Sequence, residues 1–184
     1  MKRGFDAIAS LVGLTLLGWL IGLLVLVVRK TSAGPGIFAQ ARVGRNEKTF
    51  TCYKLRTMAV GTPIRGTHET AASAMTSIGG TLRRFKLDEI PQLWNVLKGD
   101  MSLVGPRPCL PVQEELIRQR RARGVFEARP GITGKAQILG IDMSDPEKLA
   151  CVDAEYVAEQ NFFGDLVLLL KTVTGSGQGD RIRV

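Results

Sequence analysis

Between Ala7 and Val28 the chain runs for 22 residues, "AIASLVGLTLLGWLIGLLVLVV", without a charge. As a helix this stretch is about 33 Å long, close to the hydrocarbon thickness of a bilayer. A segment so apolar needs either lipid around it or a large core, and a chain of 184 residues builds only a modest core. Lipid is therefore the better host. A signal peptide would have a shorter apolar run, and Thr31–Ala33 matches a cleavage site only weakly. Both flanks are basic, with Lys2 and Arg3 before the segment and Arg29 and Lys30 after it, so the positive-inside rule assigns no orientation. Two topologies stay open: a straight span, or a segment that dips into the membrane and returns with both basic ends on one side. Gly13, Gly18 and Gly22 suit a bend and suit helix packing equally well.

The net charge of +8 points to an anionic partner. Nucleic acid, anionic lipid and phosphorylated small molecules all answer to charge alone. Cys52, Cys109 and Cys151 are widely spaced and odd in number. They read as reduced packing residues of a cytosol-facing protein, not as a zinc site or a disulfide frame.

Beyond the apolar segment the pattern is α+β and mainly helical, without repeats or an interdomain linker. Residues 36–58 read as a β-hairpin around a turn at Gly44–Lys48. Residues 59–80, small, polar and glycine-bearing, read as a loop; it carries the lone histidine, His68, expected at the surface. Leu87, Ile90, Leu93, Trp94 and Leu97 have helical spacing, with Asp88 suited to the N-cap, Pro91 to the first turn and Gly99 to the stop. "MSLVG" is extended, and residues 110–123 form a strongly basic helix with Arg118, Arg120, Arg121 and Arg123. A turn-rich loop, "ARPGITGKAQILG", follows, and then a helix over Asp145–Gln160. "FFGDLVLLLKTV" is too short to span and too apolar for a solvated surface, so it is a core helix or an interfacial one. The last residues, "GSGQGDRIRV", read as a loose tail.

The chemistry concentrates in "KLDEIPQLWNVLKGDMSLVGPRP", Lys86 to Pro108. Its acid pair, Asp88 and Glu89, stands at a helix start, where unpaired N–H groups hold carboxylates and phosphates alike. Arg83, Arg84 and Lys86 precede the pair, while Arg107 and Arg129 sit in proline-stiffened loops whose guanidinium forks suit phosphate oxygens. Capping alone accounts for two acids at a helix start. Acids together with arginines and an anchor also fit phosphoryl chemistry, in which positive charge or a hard cation screens an aspartate that attacks phosphorus.

Four stretches carry a resemblance: "GFDAI", "YKLRTM" (Tyr53 to Met58), "LDEIPQLWNVLKGDMSLVGPRP" and "RPGITGKAQILG". With the apolar segment they cover most of the chain, which resembles a small monotopic phosphoglycosyl transferase of the bacterial sugar transferase family. The resemblance implies transfer of a sugar-1-phosphate from a UDP-sugar to polyprenyl (undecaprenyl) phosphate, with release of UMP, at the cytoplasmic face of the bacterial inner membrane. It implies a ping-pong mechanism with Asp88 as nucleophile and Mg²⁺ placed by Glu89 and Asp88. Arg83, Arg84, Arg107, Arg129 and Lys54 become phosphate or nucleotide contacts, with Arg56 a further candidate. It implies a re-entrant membrane helix over residues 1–30, a catalytic domain over 31–184, interfacial amphipathic helices and membrane lipid as a partner. Nucleic acid is then no partner, and a homodimer is neither required nor excluded. Two positions depart from the family pattern. Gly18-Trp19 stands where many members carry Ser-Pro, and Lys135 where many carry tryptophan.

Overall fold

The computed structural model describes residues 1–62 and 74–174. Residues 63–73 of the loop expected over 59–80, His68 among them, and the tail from 175 onward lie outside the described residues. The apolar segment extends at both ends into one helix, α1 (Lys2–Thr31), which continues through Gly18–Trp19. A β-hairpin follows, β1 (Ile37–Val43) and β2 (Thr49–Leu55), paired antiparallel from Ile37↔Leu55 to Val43↔Thr49 around the expected turn. Next come α2 (Gly79–Arg84), a short 3₁₀ turn (Leu87–Glu89) and α3 (Gln92–Lys98). Strand β3 (Ser102–Val104), α4 (Glu114–Ala122), β4 (Gly131–Thr133) and α5 (Lys135–Ile138) lead to α6 (Pro146–Glu159) and α7 (Phe162–Val173). The architecture is mixed and mostly helical, as expected.

Three differences from the sequence expectations matter. The helix expected from Leu87 is two pieces, because Pro91 lacks an N–H and caps α3 instead of sitting in its first turn. Asp88 consequently caps nothing: the residue before the 3₁₀ turn is Lys86, in the left-handed region at φ 55°. Gly99 does stop the helix, at φ 96°. Gly79 and Gly80, read as the end of a loop, begin α2, which runs on through Arg84. And β3 pairs in parallel with β4, so "MSLVG" and "PGITG" form one two-stranded element.

Both ends of α1 are fastened to the same globular body. At the start, Lys2 Nζ donates to Val104 O (3.0 Å) and to Asp165 of α7 (2.5 Å), while Arg3 donates to the carbonyls of Val96 and Leu97 at the end of α3. Asp6 accepts from Ser102 Oγ at 2.8 Å and from the Leu103 N–H. At the far end, Val28 joins Leu55 of β2 and Leu82 of α2 in a buried cluster. Arg56, buried, donates to Ser32 O (3.0 Å), Ser32 Oγ (2.9 Å) and the carbonyls of Ala33 and Gly34. Arg56 is thus a clasp on α1 and not a ligand-facing charge. Replacing it with alanine leaves those carbonyls without their charged donor, and Arg56→Ala is expected to lower stability by roughly 2–3 kcal/mol, read as an earlier thermal transition in detergent.

Helix α7, the segment "FFGDLVLLLKTV", is not a core helix. Its only buried residue is Asp165, and Phe163, Val167, Leu170 and Val173 form an exposed apolar stripe. A longer stripe runs along α1 through Ile8, Leu11, Leu16, Trp19, Leu23 and Leu26. Away from these faces, Val43, Cys109, Leu116, Ala136 and Leu149 form the core joining α4, α5 and α6. Cys52 and Cys109 are buried and unpaired, as expected for packing thiols; Cys151 is exposed.

Candidate active site

The end of β2 forms one wall of the site. Asn95, fully buried on α3, donates Nδ2 to Thr51 O (2.7 Å) and accepts from the Tyr53 N–H (3.1 Å). This staple fixes β2 against α3 and aims Lys54, the residue after Tyr53, at the acid pair. Lys54 Nζ lies 2.8 Å from Glu89 Oε1, and Arg107 Nη2 reaches the same oxygen at 3.1 Å. All three side chains are largely buried, so this is a desolvated cluster in which each charge depends on the others.

Asp88 is 6 % exposed. Its placement follows from Lys86, whose left-handed backbone turns the chain sharply just before the acids. Burial pushes the Asp88 carboxyl above the usual carboxylate range, Glu89 adds to the rise, and Lys54, Arg83 and Arg107 pull against it. Burial wins. An acid held this way, with three cations around it and no helix to cap, is a poor structural device and a usable nucleophile.

Arg83 on α2 completes the ring. Its Nε donates to Thr57 Oγ1 at 2.9 Å, which locks the guanidinium, and its Nη1 is buried with no hydrogen-bond partner. Gln92, 3 % exposed at the start of α3, likewise holds a buried Nε2 without a partner. Orphaned buried donors are costly, and a bound anion would supply the acceptors they lack.

The two proline-stiffened loops are zipped together through backbone. Ser102 N–H donates to Pro130 O, Gly131 N–H to Pro106 O and Gly105 N–H to Thr133 O, at 2.8 to 2.9 Å. A Cβ on Gly105 would stand 2.4 Å from Arg129 O, and one on Gly131 would stand 2.1 Å from the Gly105 nitrogen. Only glycine permits so close an approach.

The structure therefore brings together Asp88, Glu89, Lys54, Arg83 and Arg107 from the expected residues. Arg84 is exposed and lies over the Phe85 ring, with its guanidinium carbon 5.7 Å from the centroid. Arg129 donates Nε to Gly99 O at 2.9 Å, closing the end of α3. Lys135 pairs with Glu155 and Glu159 of α6, each at 3.1 Å. Thr57, Asn95 and Gln92 were not singled out from sequence, although Thr57 lies in "YKLRTM" and the other two lie in the central run.

The donor set also bears on a divalent cation. Among the described residues no three of His, Cys, Asp and Glu come together, so an all-protein cage is not on offer. Two adjacent carboxylates are, and Mg²⁺ is commonly held by one or two carboxylates together with substrate phosphates and water. Asp88 and Glu89 fit a metal shared with a phosphorylated substrate.

The family follows from comparison with known sequences. Residues 1–178 match the model of the bacterial sugar transferases. The chain belongs to that family. It is 41 % identical over 173 residues to the Bacillus subtilis protein named uncharacterized sugar transferase EpsL, covering 94 % of this chain and 85 % of that one. It is also 35 % identical to the undecaprenyl-phosphate glucose phosphotransferase of Komagataeibacter xylinus and 36 % identical to the undecaprenyl-phosphate galactose phosphotransferase of Salmonella typhimurium. In both cases 94 % of this sugar transferase is covered, but only 35 % and 39 % of the relative.

Proposed function

We propose that the protein is a membrane-anchored phosphoglycosyl transferase that moves a sugar-1-phosphate from a UDP-sugar to undecaprenyl phosphate and releases UMP. The observation that carries this reading is the buried acid pair ringed by Lys54, Arg83 and Arg107, with an Arg83 donor left unpaired beside it. The names of the two phosphotransferase relatives support undecaprenyl phosphate as the acceptor and a hexose phosphate as the group moved; the UDP carrier is part of the proposal.

In the first half-reaction a carboxylate oxygen of Asp88 attacks the β-phosphorus. The bond from that phosphorus to the bridging oxygen breaks, and UMP leaves with the electron pair. In the second, an oxygen of the lipid phosphate attacks the same phosphorus and the Asp88 oxygen–phosphorus bond breaks, restoring the carboxylate. Both nucleophiles are anions, so neither step needs a separate base, which suits a chain with one histidine. Arg83 and Arg107 hold phosphate oxygens, and Lys54 keeps Glu89 in place while offsetting negative charge near Asp88. Bound Mg²⁺, held by Asp88 and Glu89, would supply charge neutralisation between carboxylates and phosphates.

The anchor is read as monotopic, entering and leaving the membrane on the cytoplasmic face of the inner membrane. What supports this reading is that both ends of α1 grip one globular body, which favours keeping those ends on one side of the bilayer. The exposed stripes of α1 and α7 then face lipid. Single cysteines placed at Gly4 and Lys30 in a Cys151→Ser background are expected to react with an impermeant thiol reagent from the same side of sealed vesicles. Labelling from opposite sides would mean a spanning anchor.

The reaction is tested by UMP release from a panel of UDP-sugars that includes UDP-glucose and UDP-galactose, with and without undecaprenyl phosphate and Mg²⁺. Release of no more than one UMP per enzyme without lipid, and continued turnover with one donor that needs both lipid and metal, supports the assignment. Continued turnover without lipid would make the enzyme a phosphohydrolase, and no release from any donor would favour a basic adaptor with salt-sensitive binding.

A further inference from the structure

The helix read from sequence as strongly basic turns one arginine inward. Arg120 of α4 is 2 % exposed, and its Nε and Nη2 both donate to Asp153 Oδ2 of α6, at 2.9 and 2.6 Å. Its third nitrogen, Nη1, donates to the backbone carbonyl of Arg107 at 2.8 Å. On the neighbouring carbonyl, Pro108 O, Arg42 of β1 donates from Nη1 at 2.9 Å. Two guanidiniums therefore grip consecutive carbonyls of the Pro-Arg-Pro loop, while the side chain of Arg107 reaches Glu89 Oε1.

A buried ion pair is an expensive way to join two helices, since desolvation offsets most of the attraction. Here α4 and α6 are already joined by apolar packing of Leu116 and Leu149. Burial pushes the Asp153 carboxyl upward, and Arg120 is the one charge that pulls it back. The fork geometry explains why an arginine is used: only a guanidinium can hold a carboxylate with one edge and a loop carbonyl with another.

We propose that Arg120 and Asp153 are positioning residues that act through Arg107, fixing the loop so that the Arg107 guanidinium meets a diphosphate at the Asp88–Glu89 site. The assignment rests on the reading of that site as one for a UDP-sugar. Asp153→Asn removes the charge on which Arg120 is oriented, frees Arg120 to swing, and lets the loop carbonyl drift.

The test is a double-mutant cycle on the affinity of the full chain, in detergent, for UDP, the part common to every candidate donor. Asp153→Asn is expected to weaken UDP about tenfold in the native background and less than twofold in an Arg107→Lys background. Leu116→Ala, which thins the same core without touching the loop, is expected to lower Tm while leaving UDP affinity intact and uncoupled to Arg107. Equal losses in the two backgrounds, or a loss no larger than that of Leu116→Ala, would overturn the proposal while leaving the site reading standing. Wild-type protein that fails to bind UDP, or Arg107→Lys that binds it normally, would remove both. If Asp153→Asn does not fold, Arg120→Lys takes its place with the same outcomes, since lysine keeps the charge and loses the fork.

Discussion

Asp88→Asn is expected to abolish UMP release, by roughly 10³-fold or more as for other removed nucleophiles, and at the same time to raise the thermal stability of the unliganded protein. The first half follows from the chemistry, because an amide cannot form the phosphosugar adduct. The second follows from linkage. The Asp88 carboxyl is raised in the folded state, first by burial and then by Glu89, against the pull of Lys54, Arg83 and Arg107. An acid with a raised folded pKa binds its proton more tightly when native. Its contribution to stability therefore declines as pH climbs from the ordinary carboxylate value through the raised one, and stays unfavourable above it. At neutral pH asparagine removes that burden without changing shape. Activity and Tm measured on the same preparation read both effects. A variant that lost activity and melted earlier would mean that Asp88 supports the fold, and the site reading would fail with it.

How far the sequence alone reached depends on whether the signal was local. The apolar run, the hairpin and the extended "MSLVG" are written in composition and alternation over a few residues, and they formed where expected. Helix α2 was hidden because it opens on Gly79 and Gly80, the end of a glycine-bearing loop; what holds it is Leu82, buried against Val28 and Leu55, residues far away in the chain. The left-handed Lys86 was equally invisible, since lysine has no preference for that conformation. It is imposed by the packing on either side of the turn, and it is what turns an apparent N-cap into a buried site. Arg120 did leave a trace: it lies four residues after Leu116, on the same helical face, so its burial was legible in the spacing. Its partner Asp153 was not, because α4 and α6 meet only in three dimensions. Arg129 and Arg107 share a Pro-Arg or Arg-Pro context, yet one closes a helix end and the other faces Glu89, a distinction that sequence context does not make.

The charges around Asp88 can be separated by moving its titration in opposite directions. Transfer requires the ionised carboxylate, so activity is expected to fall as pH drops, with its midpoint above the usual carboxylate value of about 4, because burial, reinforced by Glu89, raises it. Lys54→Met removes a cation that lowers the Asp88 pKa, and its acid limb is expected to move to higher pH. Glu89→Gln removes an anion that raises it, and its limb is expected to move to lower pH. Both are expected to reduce the plateau rate by about 10²-fold, the scale on which single preorganised charges act in a dry site. The losses have different origins. In Glu89→Gln, the oxygen that Lys54 and Arg107 share loses its negative charge, and both cations drift from the position a diphosphate needs. Without Lys54, Arg107 keeps its partner, but one positive charge near the attacked phosphorus is gone. Single-turnover UMP release from pH 4.5 to 8.5 measures both. Limbs that moved the same way, or an acid limb unchanged in both variants, would assign the titration to a group other than Asp88.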